Sequence, residues 1–163
     1  MTGNEPVNQS PRENARAMRI LFLALLGGVL FFLVIAIGIN NMNGPLLQGT
    51  KDAETIFIWL VVIIGIICLL LGIQSYRKGI QQAKILTGPL NNKLINYRLV
   101  LIKYLALCEF AAIVSVAAYL ITGEAGLLLV TAVVIIAMFS VAPTTRKIAS
   151  ELDLDWKQRK EIE

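Results

Sequence analysis

The sequence predicts an all-α membrane protein: four transmembrane helices in an up-down antiparallel bundle, with helices two and three extended into the cytoplasm. Three observations predict it. Long runs almost free of charge alternate with short basic segments, each run is about one membrane-crossing helix long, and the basic residues segregate to one side. The 163-residue chain is 56% hydrophobic and 16% charged, has no histidine, and has a mean hydropathy of +0.71. A soluble domain is nearer half apolar and a quarter charged. The length suits one compact unit.

The four runs are residues 20–39, 56–73, 99–121 and 125–142. A hydrocarbon core of ~30 Å takes ~20 helical residues to cross. No water is available there to satisfy backbone groups, so each run must be helical. None alternates polar and apolar residues as a barrel strand would. The first run is longer than the ~7–15 residues of a signal-peptide core, and no A-x-A cleavage pattern follows it. It reads as a retained span.

Orientation follows from the basic residues. Arg12, Arg16 and Arg19 precede the first run, and Arg77, Lys78, Lys84, Lys93 and Arg98 lie between the second and third. Lys103 stands one turn into the third run, and Arg146, Lys147, Lys157, Arg159 and Lys160 follow the fourth. Of the 15 basic residues only Lys51 falls on the other side. An odd number of spans would destroy this segregation. The positive-inside rule then places both termini in the cytoplasm of a multi-pass protein, here read as one of the bacterial inner membrane.

The net charge of +4 reads as orientation plus attraction to anionic lipid headgroups, at ~1 kcal/mol per nearby base. No basic stretch is interleaved with aromatics, so nucleic acid is not an expected partner. Expected partners are the anionic bilayer surface, another copy of the chain, or a membrane complex. Cys68 and Cys108 both lie within apolar runs, with the spacing of neither a disulfide framework nor a metal pair.

Taken in order, residues 1–15 carry two prolines, three asparagines and no aliphatic pattern, and read as a disordered cytoplasmic tail before a transmembrane domain at 16–142. The outer loop has a Gly44-Pro45 turn signal, with Thr50 or Asp52 as caps for the second helix. In the inner connection 74–98, Ile73, Tyr76, Ile80, Ala83 and Leu86 recur at helical spacing. Gly88-Pro89 stops that stripe, and Leu90, Leu94, Tyr97 and Leu101 resume it. This predicts a helical hairpin projecting roughly 18 Å beyond the bilayer, from ~12 residues at 1.5 Å each, in preference to an irregular basic loop. The short "TGEAG" turn makes the last two helices antiparallel neighbours. In the tail 143–163, Ile148, Leu152 and Trp156 share one helical face flanked by basic residues. Such a helix suits the headgroup surface or the hairpin, and Asp153 and Asp155 offer a place to break it in two.

Helices in lipid associate through small residues, because lipid tails are as apolar as leucine. Gly65, Cys68, Gly72, Ser75 and Gly79 form one such seam, and Cys108, Ala111, Ser115 and Ala118 another. The two are expected to face one another. Arg77, Lys78, Lys84, Lys93, Arg146, Lys147 and Trp156 are the candidate lipid-headgroup or partner surface.

Glu109 is the one carboxylate inside an apolar run. A charged acid at the bilayer centre costs ~2.5–3.5 kcal/mol on insertion scales. Three uses remain open: a protonated hydrogen-bond donor to a neighbouring helix, an ionised partner of a lysine, or a proton- or cation-carrying site. Lys103 is displaced roughly 120° around the helix, which excludes an i,i+4 pair.

No histidine, paired nucleophile and base, Gly-rich phosphate loop, HExxH or CxxC is present, so no enzyme, cofactor or metal is expected. The expected role is structural or accessory, as scaffold or partner-binding protein. The alternative is a small oligomeric transporter or channel with Glu109 as its ion-responsive residue.

The stretch "MFSVAPTTRKIASELDLDWKQ" combines a final apolar span, a Pro-Thr-x-x-Lys-Ile turn and an acidic-leucine segment. In this last quarter the chain resembles small uncharacterised four-helix inner-membrane proteins of bacteria. The resemblance implies a four-helix membrane fold, and neither an activity nor a functional residue.

Overall fold

The computed structural model describes residues 10–46, 51–85 and 89–162. Among them are six helices and no strand: α1 Pro11–Asn43, α2 Lys51–Ile85, α3 Leu90–Thr122, α4 Gly126–Ser140, α5 Thr145–Glu151 and α6 Trp156–Ile162. Residues 1–9 of the expected tail, the cap at Thr50, the Asp52 side chain, Leu86 and Gly88 lie outside what is described.

The tail expectation fails at residues 11–15, which are helical. Ser10 Oγ accepts from Glu13 N at 3.3 Å, Glu13 Oε2 accepts from Ser10 N at 2.8 Å, and Pro11 opens the helix. This reciprocal capping box satisfies two amides that would otherwise lack partners. Asn14 and Ala15 are buried, and Asn14 Nδ2 donates to Asn91 Oδ1 at 2.7 Å, tying the start of α1 to α3.

α1 and α3 have 33 residues each and α2 has 35. At 1.5 Å per residue these are ~50 Å rods, well beyond a hydrocarbon core of ~30 Å. All three are long and apolar enough to cross a membrane. α2 and α3 continue through the inner connection as a helical hairpin, its stripe of Tyr76, Ala83, Leu90, Leu94 and Tyr97 buried.

The fourth expected span is shorter than 125–142. α4 has 15 residues, ~22 Å of helix, and α5 leaves it at 74°. The chain therefore has three helices of spanning length, or up to four if this bent pair counts as one crossing. The cause is local. Val141 and Ala142 donate to carbonyls three residues back, at 3.1 Å each, tightening the last turn. Pro143 follows without an N–H to continue the ladder, and Thr144 Oγ1 accepts from Lys147 N to begin α5. The Lys147 ammonium caps the Ser140 carbonyl at the end of α4.

α3 is the central helix, packed by α1, α2 and α4. The contact pairs give directions. Asn14–Asn91, Gly28–Glu109 and Asn40–Tyr119 advance together, so α1 and α3 run parallel. Gly79–Val100 and Gly72–Tyr104 advance oppositely, as do Ser115–Leu127 and Tyr104–Ala137, so α2 and α4 run antiparallel to α3. Outward faces carry exposed Phe31, Val34, Ile63, Leu70, Val133 and Ile136. A contiguous apolar exterior of this kind suits lipid rather than water.

Small residues let helices approach as expected, with Cys68 near Cys108 across α2 and α3, but the seam glycines face larger side chains. A methyl placed at Gly72 would lie 3.3 Å from Tyr104, one at Gly79 would lie 2.4 Å from Val100, and one at Gly65 would lie 3.4 Å from Val130 of α4. Ser115 donates to Leu127 O of α4 at 2.8 Å, so that part of the α3 seam faces α4. Cys108, Ala111 and Ala118 are buried, Cys68 packs on the cluster that contains Cys108, and Ser75 is exposed. Glycine on one helix thus receives a bulky side chain of its neighbour, a knob in a hole.

Candidate functional site

Two places gather chemistry. The first is the expected one. Glu109 is half-buried on α3, and a methyl at Gly28 of α1 would stand 3.9 Å from its Oε1. The carboxyl therefore sits at the α1–α3 interface, on the glycine face of α1. Lys103 is exposed.

The second lies at the end where Arg19, the hairpin base and the α4–α5 bend converge, and its residues are far apart in sequence. Tyr76 of α2 and Tyr97 of α3 donate to the same oxygen, Glu151 Oε2 of α5, at 2.8 and 2.7 Å. The two hydroxyl oxygens are 3.4 Å apart. Each hydroxyl has one proton, and both point at the carboxylate. Lys147 Nζ lies 3.8 Å from the other oxygen, Glu151 Oε1. One carboxylate thereby joins three helices through two charge-assisted bonds.

This cluster positions the C-terminal segment. Ile148, Leu152 and Ile162 are buried, and Lys84 of α2 pairs with Asp153 at 3.5 Å. α6 packs on α1. The continuous amphipathic helix expected over Ile148, Leu152 and Trp156 is broken, as the two aspartates allowed. Asp153 adopts φ 54°, and Leu154 N returns to Ala149 O at 3.0 Å. Trp156 is consequently turned outward, 69% exposed, with Lys160 Nζ 4.0 Å above its ring.

The expected headgroup surface divides. Arg77, Lys78, Arg146 and Trp156 are exposed, Lys93 is half-buried, Lys84 pairs with Asp153 at the surface, and Lys147 is turned to the half-buried Glu151 carboxylate. The tyrosines and Glu151 were not legible as a site, because Tyr76 and Tyr97 fit the apolar stripe by spacing alone. Polar groups deeper in the bundle join α3 to α4: Tyr104 Oη donates to Ala137 O at 3.2 Å, and Ser115 Oγ to Leu127 O at 2.8 Å. Among the described residues no group of three His, Cys, Asp or Glu side chains is placed to hold a metal ion.

Comparison of this chain with protein-family models, curated proteins and solved structures finds no match.

Proposed function

We propose that this chain is a small polytopic scaffold of the bacterial inner membrane. It crosses four times, with the bent α4–α5 pair as the last crossing and both termini in the cytoplasm. Its role is structural or accessory, without catalysis. The basic end offers a platform to anionic headgroups, a second copy, or another membrane protein.

The observation that carries this reading is the Glu151 clamp. It fastens α5 to both hairpin helices, alongside the burial of Ile148, Leu152 and Ile162, so the basic end is one shaped surface. The resemblance of residues 138–158 to small four-helix bacterial membrane proteins accords with it.

A second reading, an oligomeric transporter or channel, is favoured by one observation. The Glu109 carboxyl lies against Gly28 within the apolar length of α1, and an intramembrane acid is a functional candidate by default. Glu109→Gln separates the two. On the scaffold reading, the variant inserts, accumulates and supports the same phenotype as the parent. Normal insertion together with abolished proton- or cation-dependent flux in proteoliposomes would refute it.

A further inference from the structure

A groove of about 530 Å³ opens where α1 meets the α4–α5 bend, lined by Arg19, Phe22, Leu23, Pro143, Thr145 and Arg146 among others. We propose that it is a specific site for one anionic phospholipid, its phosphate held by Arg19 and Arg146 and an acyl chain laid along Leu23. The proposal rests on the reading that the chain spans a membrane, and narrows the general basic surface to a single place.

Charge, shape and depth point to the same occupant. Arg19 precedes Ile20, where the apolar run of α1 begins, and Pro143 follows the apolar run of α4. The groove therefore lies where hydrocarbon gives way to headgroups. Arg19 donates to Thr145 Oγ1, which fixes the guanidinium beside the groove while most of its five donors stay available. A planar guanidinium fork matches phosphate oxygens two at a time. Arg146 stands on the opposite wall, and no acidic side chain lines the groove.

The other half of the lining is apolar. Phe22 is buried and held edge-on against Phe139, with ring centroids 6.0 Å apart, while Leu23 is 63% exposed. A soluble anion would leave that half unused, whereas a phospholipid has a chain for it. A smaller cavity of about 360 Å³, lined by Arg12, Ala15, Arg16, Arg19 and Ile162, shares Arg19 and prolongs the basic strip along α1. A second headgroup oxygen cluster would find cations there.

The test uses the full chain purified in mild detergent, with lipid adducts counted by native mass spectrometry. Dioleoyl-phosphatidylglycerol and dioleoyl-phosphatidylcholine are the probes, identical in chains and different in charge. The expected result is preferential retention of phosphatidylglycerol by the parent. Removing both cations with Arg19→Gln and Arg146→Gln should weaken that retention roughly 30-fold, from about fivefold per charge at an anionic surface. Lys103→Gln with Lys157→Gln, which removes two exposed cations outside the groove, should leave it within about twofold. Equal retention of the two lipids overturns the proposal, as does equal loss in both double variants. Displacement of phosphatidylglycerol by inorganic phosphate at matched concentration overturns it too, in favour of a soluble anion. Should the double variant not fold, Arg146→Gln alone, on an exposed side chain, carries the same test at about fivefold. Alkaline carbonate washing of native membranes reads the underlying assumption separately: release of the parent chain refutes spanning, while retention without lipid preference refutes only the site.

Discussion

Replacing Glu151 by Ala removes, in one step, the acceptor for two hydroxyl bonds of 2.8 and 2.7 Å. A hydrogen bond to a charged group contributes ~1.5–3 kcal/mol net, so the pair sets an upper range of ~3–6 kcal/mol. Two features lower it. The Glu151 side chain is 21% exposed, and the orphaned hydroxyls, 3.4 Å apart, can bond weakly to each other. A loss of ~2–4 kcal/mol is expected, with the Lys147 pair adding only ~0.3–0.5 kcal/mol. Because the bonds fasten α5 rather than the α1–α3 core, the loss should appear as local opening. At ~3 kcal/mol the detached population of residues 145–162 rises roughly 100-fold. Hydrogen exchange measured by mass spectrometry on the detergent-solubilised chain reads this directly. Glu151→Gln keeps one acceptor oxygen but loses the charge, and should cost about half as much. In a cycle with Tyr97→Phe, a coupling of ~1–2 kcal/mol is expected, since the groups touch. If Glu151→Ala leaves exchange in α5 and α6 as slow as in the parent, the clamp does not hold the segment and the reasoning fails.

Other substitutions probe the packing. At Gly79 a methyl would meet Val100 Cγ2 at 2.4 Å, Cγ1 at 2.8 Å and Cβ at 3.1 Å, and no rotamer of a β-branched neighbour clears all three. Overpacking of ~1–3 kcal/mol should exceed the helix-propensity gain of up to ~1 kcal/mol, so Gly79→Ala lowers the thermal midpoint in detergent. Gly38→Ala, with nothing within 4 Å, should be neutral or stabilising; equal effects at the two positions would contradict the α2–α3 contact. At Asp153, φ 54° suits glycine, and the gain of ~1 kcal/mol from relieved backbone roughly offsets loss of the exposed Lys84 pair. Asp153→Gly should therefore be near neutral in thermal unfolding, while Asp153→Ala, which loses the pair and keeps the strain, should be measurably worse.

Local features were legible in the sequence and non-local ones were not. The hairpin follows from Tyr76, Ala83, Leu90 and Tyr97 at helical spacing, a property of neighbouring residues. The capping box at Ser10 and Glu13 was equally present in "SPRE", a serine three residues before a glutamate, yet the polar composition around it read as a tail. For the fourth span, hydropathy marked where apolar residues end but not where the helix ends. Tightened amides at Val141 and Ala142 and the missing N–H of Pro143 decided that. The small-residue seams correctly marked where backbones approach. They could not say what fills the gap, because the rotation of each helix about its axis brings Tyr104 and Val100, rather than Ala111 and Ser115, over the glycines.

By itself, the order of residues determined that the chain is helical, that it holds runs long and apolar enough to cross a bilayer, and which segments carry positive charge. Each of these depends on residues within a few turns of one another, where backbone satisfaction and apolar periodicity leave little choice. Only the tertiary structure decided that α3 is the hub, that Glu109 faces Gly28, and that Glu151 reaches Tyr76 and Tyr97. Those pairings join positions 54 to 81 residues apart. At that distance the register between helices, set by how whole faces interlock, determines which polar groups meet.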